Sequence, residues 1–406
     1  MSRTRAARCL SIVATSLTFA ALITACGDGK DSGSSSSGKD IVIGMVEDTS
    51  GGTAATSAEA STGISLAIDE INKAGGVGGR SLKLIRQSDG SQPSQTPAVV
   101  RKLVSDGARV IIMNSSSASA QQVKPVVEQE KIVAVSATNI ATAIAEPPNN
   151  TFSFILANPI TDIGTVYAAA FKKTGVTKLA VITDDSPTMA GLNKGLLPIF
   201  EQSGITIVAN EKAPLNSTDV APQLSRIAGA KPDALFVSSL GGQLEVLFHN
   251  TAHQIMPDTP RISLASIGNQ PETWKLAKPG ALRQLVYASA ISADNERSTE
   301  LGGKLKAKLG EKYLGLTAFA AQGYDTVYLL KQAIEKAGVD SSPAQVRDGL
   351  EQISKFPASW GRQGFTMSFT SSKHVGSDGL CGIVLRRFTE QNQPGDNWAD
   401  YQPQCS

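Results

Sequence analysis

Histidine, cysteine and aromatic residues are scarce in this chain: three His, four Cys and an aromatic fraction of 5% in 406 residues. So few histidines leave a His-dependent hydrolase or a metal centre with few candidates. Charge of one sign is lacking too, since the formal net charge is only +2. No basic field exists to attract nucleic acid. Beyond the N-terminus no stretch is apolar for long enough to span a bilayer. The patterns GxxxxGK(S/T), GxSxG and HExxH are all missing. That removes P-loop nucleotide chemistry, the serine-hydrolase elbow and zincin chemistry from consideration. What is present is 41% hydrophobic residues, 18% charged residues and 37 Gly. The length suffices for one large or two medium cores, and abundant Ala and Gly suit closely packed α/β layers.

The first eight residues carry Arg3, Arg5 and Arg8 and no acid, and Leu10 to Ala25 is uncharged and mostly apolar. A basic start followed by a short apolar run reads as a secretory signal over 1–25. It ends Leu22-Ile23-Thr24-Ala25-Cys26, which resembles a bacterial lipobox, although Ile23 stands where Leu is more usual. The resemblance implies cleavage before Cys26 and diacylation of its thiol, which would anchor the chain to the outer face of the cell membrane. An ordinary cleaved signal with an incidental Cys is the alternative. Residues 27–40, GDGKDSGSSSSGKD, hold no apolar side chain, so 26–40 is expected to be a lipidated Cys and flexible tether of about 20 Å. Loss of the three leader arginines leaves the mature chain close to neutral. With Cys9 removed and Cys26 lipidated, Cys381 and Cys405 remain, an even pair in an oxidising compartment. They are expected to form a disulfide that pins the C-terminal tail; two free thiols are the alternative.

From Ile41 onward, aliphatic runs alternate with helical spacing. Ile41–Val46, Ser81–Ile85, Val110–Met113 and Ile132–Val135 read as strands. Ile64, Ala67, Ile68 and Ile71 fall at i, i+3, i+4 and i+7 on one helix face, which Gly75-Gly76 terminates. Val99 to Val104 and Val123 to Val127 mark two more helices. The rhythm resumes with strands at 179–183, 205–209, 235–237 and 262–264, and with helices near 190–203, 218–229 and 242–254. Residues 297–354 look mostly helical, and the last 40 irregular. Strand–helix alternation with strands apolar on both faces predicts parallel sheets, here in two doubly wound lobes.

Ligands bind outside the carboxyl ends of the strands in such sheets. Those ends are Glu47 to Thr53, Asn114 to Ser119, Ser136 to Asn139, Asp184 to Thr188 and Ser238 to Gly242, all rich in small and hydroxyl residues. Each alone suits a helix N-cap. Five on one face predict a polar pocket.

At these residues the chain resembles the type I periplasmic binding proteins, specifically the branched-chain amino-acid (leucine/isoleucine/valine) binding family of ABC importers. The match is densest from Ile41 to Thr142, through Ser50-Gly51, Asp69-Glu70-Ile71-Asn72, the stretch Asn72–Arg80 (NKAGGVGGR) and Ser136-Ala137-Thr138. It continues weakly through Ala180–Thr183, Lys231–Ala234 and Tyr324-Asp325, so that it covers nearly the whole mature chain. The resemblance implies an α/β fold of two Rossmann-like doubly wound parallel-sheet lobes joined by a three-crossover hinge. Lobe one would be 41–157 plus 288–364, and lobe two 158–287 plus 365–406. It also implies a binding protein that does no chemistry, needs no cofactor, is monomeric and passes a small polar ligand to ABC permease and ATPase subunits. A sensor serving a signalling partner is the second reading, and a secreted hydrolase the third.

The family's ligand residues carry over unevenly. Ser117 matches the Ser after the third strand, or Ser116 or Ala118 if the register slips, and Ser136, Ala137 and Thr138 match the triplet after the fourth. These would hold a ligand carboxylate. Thr56 stands in place of an aromatic residue, and Thr188 and Met189 in place of a Tyr-Gly pair. The Tyr and Glu that grip an α-amino group fall near Gly241 and Ile267, where there is no acid. A buried ammonium needs a carboxylate or several acceptors. The resemblance therefore implies a carboxylate-bearing ligand other than a free α-amino acid, unless Glu47, Asp48 or Asp184 supplies the charge.

His249 and His253 have metal-ligand spacing, but a solvated helix face is the plainer expectation, and no metal site is expected. His374, alone in a polar loop, is expected at the surface, as are Lys304, Lys306, Lys308 and Lys312. Trp274 and Trp360 are expected to be buried packing residues, with ligand stacking as the alternative.

Overall fold

The computed structural model describes residues 39–405. The expected signal peptide, Cys26 and nearly all of the tether lie outside the described residues. The chain opens with β1 (Ile41–Glu47), α1 (Ala54–Lys73), β2 (Leu82–Ser88), α2 (Thr96–Ser105), β3 (Val110–Asn114), α3 (Ser117–Gln122), α4 (Lys124–Glu130), β4 (Val133–Ser136) and β5 (Ser153–Ile155). The five strands form a parallel sheet in the order β2-β1-β3-β4-β5. β3 and β4 are buried at every position, as strands covered by helices on both faces must be.

A second series follows: α5 (Ile160–Thr174), β6 (Lys178–Asp184), α6 (Pro187–Gln202), β7 (Thr206–Ala213), α7 (Ala221–Gly229), β8 (Ala234–Ser238), α8 (Gly242–Ile255), β9 (Arg261–Ser263), α9 (Pro271–Trp274) and β10 (Val286–Ser289). Its parallel order, β7-β6-β8-β9-β10, repeats that of the first sheet. The chain then returns to the first lobe with α10 (Glu296–Leu309), α11 (Ala318–Ala337) and α12 (Pro343–Glu351). A small antiparallel pair follows, β11 (Phe356–Pro357) and β12 (Thr366–Met367). Finally β13 (Val384–Phe388) and β14 (Pro394–Asn397) extend the second sheet past β10 as antiparallel strands.

The aliphatic runs place β1, β3, β4, β6 and β8 to within a residue or two. β5 and β10 are too short and too mixed (SFI and VYAS) to stand out, and a strand-led reading passes over α5. The third crossover also differs from expectation. Residues 365–378 stay on the first lobe, where Val375 bridges Ile155 and the Gly376 amide donates to the Ile155 carbonyl. The chain enters the second sheet only at Val384, because nothing periodic marks this turn-rich segment. The Cys381–Cys405 disulfide is present, with Cα atoms 5.2 Å apart. It ties the tail to the third crossover.

Helix α11 lies so close to α1 that glycine is required on both. A Cβ at Gly63 would overlap the Ala320 carbonyl, and one at Gly323 would overlap the Ala60 carbonyl. Tyr324 and Tyr328 then donate to Glu70 at 2.6 and 3.0 Å, locking the pair. Lys304 pairs with Glu70 and Glu300, and Lys308 with Asp69, so these two lysines dock α10 on α1 instead of facing only solvent.

Two histidines depart from expectation. His374 is buried: its ring stacks on Phe154 with centroids 3.9 Å apart, and its nitrogens meet the Asn150 carbonyl and Glu351. The Phe154 ring, contributed by distant β5, draws it in. His249 is fully buried inside the second lobe, 3.6 Å from Glu245, while His253 is only partly covered. No cluster of three metal-ligating side chains occurs among the described residues. Burial pushes the Glu245 carboxyl up to about 8, against the opposing hydrogen bond from Ser263. Burial, with Arg261 nearby, drives His249 well below its ordinary range.

Two predictions follow from this packing. Gly63→Val forces α1 off α11 and is expected to cost about 3 kcal/mol or more in urea unfolding. Between the ordinary carboxyl value of 4.5 and about 8, folded Glu245 keeps a proton that the unfolded chain has released, so stability falls as pH rises through that window. Asp325, raised to about 7 by burial, acts with the same sign. Below 6.5 the unfolded chain protonates His249 and the folded protein does not, so stability falls again on acidification. Glu245→Gln is expected to flatten the alkaline limb of midpoints measured from pH 5 to 9; an unchanged limb would refute the assignment.

Candidate ligand-binding site

The two sheets present the carboxyl ends of their strands to a common cleft, and the loops that leave those ends line it. Thr53 and Thr56 come from the loop and helix after β1, Ser115 and Ser117 from those after β3, and Thr138 and Asn139 from the loop after β4. From the second lobe come Thr188, Met189 and Leu192 on α6, Leu240 after β8, and Leu264 to Ser266 after β9. Helix α11 adds Phe319 and Gln322. The three crossovers form the floor, through Asn158, Ser289 and Ala290, and Gly382 with Ile383. The cavity measures about 110 Å³.

Of the residues expected here, Thr56, Ser117, Thr138 and Thr188 line the cavity. Ser136 and Ala137 are buried at the end of β4 without lining it, because the β4 loop turns Thr138, Asn139 and Ile140 inward. Gly241 stands behind the wall. Its φ of +94° and lack of a Cβ clear the path of the Gln270 side chain, which Gly242 holds through its amide at 2.9 Å. Ile267 is buried among apolar neighbours that include Trp274 and Tyr287, away from the cavity. Trp360, by contrast, lines the cavity while packing at 4.7 Å against Phe365.

No charged side chain lines the cleft among the described residues. The three acids that could have served are committed elsewhere. Asp48 accepts from the amides of Ser50, Gly51 and Thr53 and from the Thr53 and Ser91 hydroxyls. Burial raises its pKa, but these bonds outweigh it and hold the carboxyl below its usual value. Asp184 accepts from the Ser186 and Leu240 amides at 2.9 and 2.8 Å. Glu47 pairs with Arg86 at 2.9 Å. Asp48 and Asp184 each shape a loop, Glu47 ties β1 to β2, and none lines the cavity.

The polar lining is therefore neutral, and much of it is unsatisfied. Asn139 Nδ2, Asn158 Oδ1, Gln322 Oε1 and Trp360 Nε1 are buried without a hydrogen-bond partner. A buried polar atom left unpaired costs about 1–3 kcal/mol. The strand-end rule reaches Asn139 and misses the other three as site residues. Asn158 arrives from a crossover, Gln322 from a helix that follows both strand series, and Trp360 from an irregular return, so no strand–loop pattern marks them.

Three hydrogen bonds bridge the lobes across the cleft. Gln270 Nε2 donates to Thr56 Oγ1 at 3.0 Å, the Ala118 amide to Thr188 Oγ1 at 3.3 Å, and the Ala318 amide to Asn269 Oδ1 at 3.3 Å. Since Thr188 Oγ1 accepts that bond, its own proton is left for another acceptor.

A family model described as periplasmic binding protein matches residues 40–377. Among curated relatives, the Leu/Ile/Val-binding protein BraC3 of Rhizobium johnstonii is 25% identical over 80% of this chain and 86% of its own length. The leucine-, isoleucine-, valine-, threonine- and alanine-binding protein of Pseudomonas aeruginosa is 24% identical over 75% and 79%. The solved structure of LivJ from Streptococcus pneumoniae, in complex with isoleucine, superposes with a TM-score of 0.76 at 20% identity, covering 88% of this chain and 98% of that one. A solute-binding protein from Rhodopseudomonas palustris, in complex with 3,4-dihydroxybenzoic acid, gives 0.74 at 20% identity over 89% and 96%. At such identities these structures speak for the fold.

Because Gln270 makes the shortest of these bridges, Gln270→Ala is expected to open the cleft without unfolding either lobe. Small-angle scattering should report a larger radius of gyration with unchanged circular dichroism; equal radii would remove Gln270 as a latch.

Proposed function

The chain belongs to the periplasmic binding protein family, and on that premise we propose that it is the extracytoplasmic, lipid-anchored substrate-binding subunit of an ABC importer, capturing a small carboxylate-bearing solute between its two lobes. The observation that carries this reading is the neutral, hydroxyl-lined cleft. Ser117, Thr138 and Thr188 bring hydroxyls from both lobes to one cavity, with Ser117 donating to Asn139 Oδ1 at 3.4 Å and able to turn from it to a ligand. Each hydrogen bond to a charged group is worth about 1.5–3 kcal/mol, so three suffice to hold a carboxylate that has left water. Among the described residues no acid lines the cleft to meet an ammonium, and a desolvated ammonium without one costs several kcal/mol. The named relatives bind amino acids; the lining of this cleft favours an organic acid that lacks the free α-amino group.

Closure would run through the three crossovers, with the ligand shifting the balance by touching both lobes at once. The lipid on Cys26 would hold the monomeric domain near its permease and ATPase partners. No cofactor enters this scheme, and the protein performs no covalent chemistry.

The test is isothermal titration of the mature chain carrying Cys26→Ser, after unfolding and refolding to strip carried-over ligand. Aliphatic and aromatic carboxylates are expected to bind at least 100-fold more tightly than the corresponding α-amino acids. Thr138→Val is expected to weaken acid binding about 10- to 100-fold, the cost of one charge-assisted hydrogen bond. Tight binding of leucine or a relative would overturn the reading.

A further inference from the structure

We propose that the seam between the two lobes carries a proton-operated brake on closure: Glu59 of the first lobe meets Glu272 of the second, so that the lobes close readily while Glu59 holds a proton and are driven apart once it is charged. The proposal rests on the two-lobe closure described above and not on the identity of the ligand.

The register of the seam brings the two acids together. Thr56 and Glu59 stand three residues apart on α1, neighbours on one helix face. Opposite them the chain runs Gln270-Pro271-Glu272 into α9. Gln270 reaches across to Thr56. Glu59 and Glu272, which follow these two along their own elements, line a single cavity of about 150 Å³ together with Pro271. Glu59 also accepts from Thr317 Oγ1 at 3.1 Å, and the next amide in the chain, that of Ala318, crosses the seam to Asn269. Glu59 therefore sits between two of the bonds that hold the lobes together. An attractive contact at Gln270 and a repulsive one at Glu272 lie about one helical turn apart.

No cation cancels the repulsion. Lys275 pairs with Glu272 at 3.5 Å and makes no ion pair with Glu59. Lys312 lines the cavity from the end of α10 and makes no ion pair with either acid among the described residues. Tyr313 lines it too, and burial raises its pKa, so it stays a neutral phenol. Burial lifts the Glu59 carboxyl to about 7, with the Thr317 hydrogen bond opposing the rise and the Glu272 charge adding to it.

Opening carries Pro271 and Glu272 away with the second lobe and returns water to that side of Glu59. The carboxyl then relaxes towards its ordinary value of 4.5, so the closed form holds a proton that the open form has released. Closure is favoured at the acid end of this window and weakens as pH rises through about 7. Leu305, Leu309 and Ala320 border the same cavity from the first lobe in both forms, so only part of the interval is available to the hinge. One pH unit of it corresponds to about tenfold in the ratio of closed to open protein. Asp325 and Glu245 titrate in the same range, but each is enclosed within a single lobe at 0% exposure and stays covered when the hinge moves. They alter resistance to unfolding, whereas Glu59 alters closure. A receptor built in this way grips its solute more firmly in acid surroundings and lets it go more readily in alkaline ones.

The experiment follows the ligand-stripped mature chain carrying Cys26→Ser by single-molecule energy transfer, with dyes at Arg101→Cys on the first lobe and Gln202→Cys on the second, both exposed positions. Between pH 5.5 and pH 8 the ratio of closed to open molecules is expected to fall about tenfold. Glu59→Gln is expected to abolish this dependence and to keep the acid ratio at pH 8. Glu272→Gln, at an exposed position that leaves the packing intact, is expected to raise the ratio at pH 8 about threefold. A ratio that does not move with pH, including one in which no closed molecules are seen at either pH, would overturn the proposal. So would a pH dependence that survives in Glu59→Gln, or an unaltered ratio in Glu272→Gln. Because no ligand is present, these outcomes stand apart from whether the solute is a carboxylate.

Discussion

Burial of parallel strands on both faces is the constraint from which the rest of this molecule follows. Strands such as Val110–Asn114 and Ala234–Ser238 have no exposed position on which to carry polar chemistry. Polar side chains are driven to the strand ends, and the repeated order of the two sheets turns both sets of carboxyl ends towards one cleft. The cleft is thus a by-product of covering the sheets. Its hydroxyls, asparagines and glutamine occupy a sheltered place at those strand ends.

The same constraint explains what could be read from the sequence. Strands buried on both faces announce themselves as aliphatic runs, so β1, β3, β4, β6 and β8 were legible, and so were the small-residue loops behind Thr56, Ser117, Thr138 and Thr188. The short strands β5 and β10 carry too few residues to register. The passage of residues 365–378 along the first lobe was illegible because its register is set by contacts with Ile155, more than 200 residues away. The floor residues were hidden for the same reason. Asn158, Gln322 and Trp360 acquire meaning only when the crossovers and α11 meet, and no local pattern encodes that meeting. His374 and His249 show the converse: a polar residue in a polar stretch can still be buried when a distant aromatic or carboxyl group is waiting for it.

Charge is handled by segregation. Asp48 and Asp184 spend their lone pairs on the backbone amides of the very loops that line the cleft. Those loops are stiffened by carboxylates that stay out of the cavity, and the cavity itself is left without a formal charge. Such a division gives rigid walls whose selectivity rests on geometry and on neutral donors and acceptors, with little dependence on salt.

The walls of the cleft each belong to one lobe, but its floor belongs to both. Asn158 reaches from the first crossover to the Gly379 carbonyl beside the third, and the Arg362 amide is held by the Cys381 carbonyl. A substitution on a wall changes how well a ligand is gripped. A substitution on the floor changes that and also the energy of swinging one lobe against the other. During divergence, new ligand preferences are therefore acquired more cheaply on the walls, and the floor is expected to drift slowly, preserving an ancestral choice of solute class while the fine preference above it varies.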